Sequence, residues 1–456
     1  MGNISNKPCL SPYCMHYKLQ LNKKIRFSDG VPGEFDHLQF KIHEAIVKGD
    51  VPSIIKLLRS HPVNEPVQIW KYCTVFSTLQ RQGLAILPLH LAASYRRVKS
   101  LESLLSAGAD PEIRDQRGHN ALHLVITHWP TILASWSKPR TKFETAMMSM
   151  QHRAEACLRV LCSHGVNINA EVESDGRHTA LHLAVRYRAL PAISILASHG
   201  ARINTIDHFG MMPLHMAAGI LNTEMTASLI KLGADVNKVM NNSGNSPLHL
   251  AALAAANKPV KALGVDLSCI TELLDQGADP NIVNHAGRTA LHEACSGGHE
   301  AVVELLLKYG ADINQLTTAG GNCLFLFLDQ KLNLRHTSLL WKLLTMTYPL
   351  TISNRDGHLP SSLMLPEYFD QRDQLLNLCQ QPRSLMDICK FHIYQCYGKS
   401  HGRECLKQVL PDMVHDFVFN HWENACDVTF VKEGDVIPPR FPRFPNMEDF
   451  TMPQGV

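Results

Sequence analysis

Twenty-five histidines and thirteen cysteines are the residues of this 456-residue chain best suited to chemistry. Suitably spaced, they would build a metal centre or a nucleophilic site. Their spacing does neither. The chain has no His-Glu-x-x-His stretch, no paired Cys-x-x-Cys, no Gly-x-x-x-x-Gly-Lys-Ser/Thr loop and no Gly-x-Ser-x-Gly elbow. Cys9 and Cys14 flank Pro12, and Cys389, Cys396 and Cys405 lie near one another, but neither group has the spacing of a structural zinc site. Cys157, Cys162 and Cys269 fall at apolar helical positions, and the odd total suits free thiols in a reducing compartment. The expectation is a chain without catalytic residues, cofactor or metal.

Six of the histidines share a pattern. His90, His123, His182, His215, His249 and His292 each follow a leucine, with gaps of 33, 59, 33, 34 and 43 residues. The longer gaps are what insertions into a period of about 33 would leave. Around each step runs Thr/Ser-Pro/Ala-Leu-His-x-Ala, clearest in Ser246–Ala252 and Thr289–Ala294. Five residues before the histidine stands glycine at 118, 210, 244 and 287, and Gly320 precedes the degenerate copy at Phe325, as a turn needing positive φ requires. In the copy at His182 that place holds Arg177, with Gly176 one position early, so a distorted turn is expected. Pro or Ala then opens a short helix. A second helix follows with apolar spacing, as in Val302, Val303, Leu305, Leu306 and Leu307, and ends at Gly-Ala-Asp caps such as Gly233–Asp235 and Gly310–Asp312. Each of the six histidines is expected to brace its own turn by hydrogen bonding.

This pattern resembles the ankyrin repeat. The resemblance implies an all-α solenoid of helix-turn-helix repeats with short β-hairpin tips, followed by a small helical C-terminal module. Residues 1–37 read as a flexible leader and 38–378 as the repeat array, opening on a divergent copy at Ile42–Ile46 and Ile54–Leu58. Excursions interrupt it near 67–83, 129–151 and 255–266. The second carries Trp129, Trp136, Lys138, Arg140 and Lys142, residue types common at interface anchors.

After about residue 380 the repeat stops. Leu385, Cys389 and Ile393 recur every four residues and so share one helical face. Residues 380–420 are similar to the SOCS box, the helical module that ends the ankyrin repeat and SOCS box proteins. That resemblance implies Leu385, Cys389 and Ile393 as contacts to elongin B/C, and Leu410 and Pro411 as the start of a cullin motif. The family's Leu-Pro-apolar-Pro is absent, because Asp412 and Met413 follow. A plain helical cap on the last repeat fits the same stripe. The tail, 421–456, is too rich in proline for regular structure.

Lys plus Arg total 44 against 41 for Asp plus Glu, with no basic block, which argues against nucleic acid as partner. No stretch approaches the ~18 apolar residues of a membrane span, and intracellular placement, cytoplasmic or nuclear, is expected. In a repeat of this kind the hairpin tips face the partner. Here they present Arg114, Gln116, Arg117, His119, His208, Phe209, Met211, Asn241, Asn242, His285 and Arg288. That mixture suits a protein surface better than a polyanion. The expected function is a protein-interaction scaffold, with a ubiquitin-ligase substrate adaptor as the alternative.

Overall fold

The computed structural model describes residues 34–75, 78–130, 141–257 and 266–382, with isolated positions at 388–389, 392–393, 406–408, 411 and 430. Its contacts divide the chain into two compact units, one of residues up to Ala254 together with Gly264–His285, the other of Ala255–Leu263 and Ala286 onward.

In the first unit helices alternate as short pairs: α1 (Glu34–Lys48) with α2 (Val51–Leu57), α3 (Pro88–Ser94) with α4 (Val98–Ser106), and α5 (Ala121–Thr127) with α6 (Lys142–Ser163). The series goes on through α7 (Ala180–Arg186) and α8 (Leu190–Ser198), α9 (Pro213–Gly219) and α10 (Thr223–Lys231), then α11 (Pro247–Ala256) and α12 (Ser268–Asp275). First helices pack on first helices and second on second, so two helical layers share one core. Leu122, Ala184, Leu214, Leu158, Ile193 and Leu229 are all wholly buried in it. No helix of seven or nine residues is stable alone, so this packing between neighbours supplies most of the helical stability.

The three excursions take different forms. The first is an antiparallel ribbon of β1 (Val67–Val75) and β2 (Thr78–Ile86), with Val67 opposite Ile86. In the second, Trp129 is buried, while Trp136, Lys138 and Arg140 lie outside the described residues. From Lys142 onward the second excursion is helical and runs unbroken into the second helix of its repeat. α6 therefore has 22 residues where α4, α8 and α10 have nine. Thr141 and Glu144 form its capping box. The third lies mostly outside the described residues, beyond the end of α11. α1 begins at Glu34, inside the segment read as a leader.

The second unit holds α13 (Ala290–Ser296), α14 (Glu300–Lys308), α15 (Cys323–Leu328), α16 (Thr337–Met346) and α17 (Phe369–Gln380). Leu291, Val303, Leu306, Phe327 and Leu340 are fully buried in its core. The ring of His392 meets Tyr348 with centroids 6.4 Å apart, and Phe430 meets Tyr368 at 5.5 Å.

An asparagine ladder, which the repeat pattern did not reveal, ties successive copies of the first unit together behind the second helices. Asn169 donates to the Gly200 carbonyl at 3.3 Å and accepts from the Arg202 N–H at 2.8 Å. Asn204 does the same with Gly233 and Asp235, at 3.2 and 3.0 Å. Asn237 repeats it with Gly277 and Asp279, at 3.0 and 2.8 Å. One amide side chain thus satisfies two terminal backbone groups of the next helix cap, groups that no intrahelical bond reaches.

Candidate protein-binding surface

Two of the hairpin tips are folded by the carboxylate of their first residue. The Asp115 carboxylate accepts from the N–H groups of Arg117 and His119 at 2.9 and 2.8 Å. Asp207 accepts from those of Phe209 and Met211, both at 2.8 Å. A buried Asp207 and an exposed Ile206 beside it follow from the alternation of an extended backbone. Backbone bonds then join tip to tip, from the His208 N–H to the Gly176 carbonyl at 2.8 Å and from the His285 N–H to that of Ser243 at 2.9 Å. Close approach explains the glycines. A Cβ at Gly244 would stand 2.7 Å from the His285 nitrogen, and φ there is +73°.

The tip with Arg177 is rebuilt. Val172 bridges His178, a 3₁₀ turn fills Glu173–Asp175, and both Gly176 and Arg177 take left-handed φ, at 73° and 61°. The Arg177 guanidinium is held by the Glu171 carboxylate at 2.7 Å. From the same turn, the Nε2 of His178 reaches a carboxylate oxygen of Asp207 at 3.3 Å, tying it to the next tip.

The histidines at 123, 182, 215, 249 and 292 accept at Nδ1 from the backbone N–H three residues earlier, at 3.0 to 3.3 Å. Acceptance at Nδ1 puts the proton on Nε2. From there His123 donates to the Ala170 carbonyl at 3.1 Å and His182 to that of Met211 at 3.0 Å, while the Nε2 of His90 meets the Ile113 carbonyl at 2.9 Å. The five rings brace their own turns, and those of His90, His123 and His182 also staple their first helices to the following tip. Burial drives the pKa of His123, His182 and His215 down to about 4, so they are neutral at pH 7. Two buried thiols are equally inert: burial raises Cys157 to about 12 and Cys162 to about 11. Among the described residues, no three His, Cys, Asp or Glu side chains gather as a metal site. No helix among them is long and apolar enough to cross a membrane.

Outward from this bonded frame stand Arg114, Gln116, Arg117, His208, Phe209, Asn241, Asn242 and His285, all exposed, with His119, Met211 and Arg288 half-buried. Phe209 is 55% exposed, and His208 lies edge-on to it at 5.6 Å. Arg114 bonds the carbonyls of Gly118 and Glu171, and Arg288 pairs with Glu293 at 3.5 Å. Of the C-terminal candidates, Cys389 is exposed and helical, Ile393 is half-covered and Pro411 is exposed. Leu385 and Leu410 lie outside the described residues.

Residues 130–207 and 260–327 match the family described as "Ankyrin repeats (3 copies)", and residues 87–116 match "Ankyrin repeat". The chain is similar to the nuclear factor NF-kappa-B p105 subunit of Gallus gallus, 32% identical over 34% of this chain and 17% of that one. It is similar to the B-cell lymphoma 3 protein homolog of Mus musculus, 27% identical over 58% of this chain and 45% of that one. It is also similar to the E3 ubiquitin-protein ligase KEG of Arabidopsis thaliana, 27% identical over 68% of this chain and 18% of that one. The chain thus spans less than half the length of each of these relatives. Repeat spacing, helix pairs, tips and these matches agree: the chain carries ankyrin repeats at residues 87–116, 130–207 and 260–327, and its fold class is the all-α ankyrin-repeat solenoid. Ankyrin repeats are protein-binding units.

Proposed function

We propose that this chain is a non-catalytic scaffold that grips a protein partner through its hairpin tips and first helices. The observation that carries the reading is a contrast between the backbone of the tips and their side chains. The backbone is pinned by carboxylate and inter-tip hydrogen bonds, while the side chains it presents are exposed and mixed in type: a phenylalanine, histidines, arginines and asparagines. Preorganised backbone lowers the entropy cost of binding, and aromatic and arginine side chains are the usual anchors of protein interfaces. The test is affinity capture with the wild-type chain and a folded Arg114→Ala/Phe209→Ala/Asn241→Ala variant. Partners retained by the wild type and lost at least ten-fold by the variant are expected; equal retention by both would remove the tips from the interface.

A second reading has residues 380–420 dock elongin B/C, making the scaffold a ligase substrate adaptor. What favours it is the exposure of Cys389 on a helical residue with Ile393 beside it. The contact between His392 and Tyr348 supports the plain cap instead. Purified elongin B/C should be retained by the wild type and not by Leu385→Ala/Cys389→Ala if the adaptor reading holds. No retention by the wild type would leave residues 380–420 as a cap.

A further inference from the structure

The ribbon of β1 and β2 ends in an open edge. Its strands pair without a bulge from Val67 opposite Ile86 to Val75 opposite Thr78, and no third strand joins them among the described residues. α1 packs against β1, and no described helix packs on β2 to a like degree. A two-stranded ribbon is marginally stable in water, and its edges carry unpaired backbone groups that template another strand.

The register decides which groups these are. Val75 and Thr78 close the ribbon with two residues between them. No pair lies beyond them to carry the ladder, so they exchange both of their own bonds. Hydrogen-bonded pairs then alternate down the ribbon, at Cys73 with Gln80, Lys71 with Gln82 and Ile69 with Leu84. The backbone N–H and C=O groups of Leu79, Arg81, Gly83 and Ala85 therefore point away from β1. Proteins guard such edges with proline, several charges or a bulge. β2 has no proline, its pairing is unbroken, and Arg81 is its one charged residue.

We propose that β2 pairs antiparallel with β2 of a second copy of this chain, joining two ribbons into a four-stranded sheet across a twofold axis. β2 is its own complement. With the axis at Gln82, Leu79 stands opposite Ala85 of the second copy and Arg81 opposite Gly83. All four outward residues then form hydrogen-bonded pairs, about eight bonds in all. The same register keeps the two Arg81 residues from standing opposite each other, where like charges destabilise. A strand of another protein would have to bring a matching segment, which the second copy already holds. The pairing uses none of the tip residues proposed to hold a protein partner, so the two readings are tested separately.

The test is the mass of the purified full chain in sedimentation equilibrium, from low to high micromolar concentration. Arg81→Pro removes an outward N–H and no bond to β1, a change that an edge strand tolerates. Gly83→Arg leaves the backbone donors in place and sets a second positive charge opposite Arg81 of the second copy. Each variant is first shown to be folded by circular dichroism. The expected result is a concentration-dependent doubling of mass for the wild type, with at least ten-fold weaker association for both variants. Gln82→Cys should form an intermolecular disulfide on mild oxidation, because position 82 meets itself in a non-hydrogen-bonded pair with Cα atoms ~4.5 Å apart. Thr78→Cys, which would meet position 86, should not. A dimer that either variant leaves intact, or a dimer without the Gln82→Cys link, would overturn the proposal. A wild type that stays monomeric throughout would overturn it too and leave the edge to a strand of another protein.

Discussion

A repeat histidine here accepts from its own helix cap at Nδ1, and at 123 and 182 it also donates to the next tip at Nε2, which leaves those rings nothing for catalysis. His182→Ala strands the buried Thr179 N–H and the Met211 carbonyl, and should lower stability by about 2–4 kcal/mol in urea unfolding. Because the folded pKa values of His123, His182 and His215 are about 4 against 6.5 for the free side chain, the unfolded chain takes up protons first. Their contribution is complete above pH 6.5 and is lost as pH falls toward 4, on the order of 1–3 kcal/mol for each. Thermal midpoints should therefore fall steadily from pH 7 to pH 4.5; a flat profile would mean that these rings are solvated. Strain offers the opposite change. Leu221 sits at φ +53°, and Leu221→Gly should raise stability by up to ~1 kcal/mol. Gly287→Ala should cost several times that, since its Cβ would stand 2.5 Å from the Thr318 nitrogen. The histidines and glycines were legible in the sequence because the period repeats them.

At the scale of the element, α6 is two helices in function. Its second half carries Ala154, Leu158 and Leu161 into the core, whereas its first turns hold exposed Lys142 and Phe143. Thr141→Ala removes the cap bond to Glu144, worth about 1 kcal/mol. Amide exchange at 142–146 should quicken about five-fold by that figure while the thermal midpoint stays put. A falling midpoint would show that the extension belongs to the core. The sequence marked this stretch as an excursion since residues 129–151 break the repeat register, yet Phe143–Gln151 has no Gly, Pro, Asn or Asp and simply prolongs the helix behind it. The ribbon of β1 and β2 is rich in β-branched and aromatic residues, Val67, Ile69, Trp70, Tyr72, Thr74 and Val75 in β1, but adjacent Ile69 and Trp70 break a clean period of two, so no alternation marked it in the sequence. The altered tip at Arg177 was legible because its glycine is displaced by one position.

Across the first unit, stability is a matter of neighbours. Asn204 and Asn237 each satisfy two backbone groups of the following cap, so Asn204→Ala/Asn237→Ala should weaken coupling between repeats more than any single helix. A shallower, broader urea transition is expected, with a clear drop in slope. The ladder escaped the sequence reading because its asparagines lie in loops, where the same residue type serves many turns. Helix pairs and tips were legible as a repeat, while the partner is not, because it is chosen by side chains that the repeat leaves free to vary. The central claim is that this partner is held at the tips. It is tested most directly by hydrogen-exchange mass spectrometry of the full chain with and without a captured partner. Protection concentrated at residues 114–119, 208–211, 241–242 and 285–288 is predicted. Protection that spares all four tips and falls on the second helices or the C-terminal segment alone would contradict it.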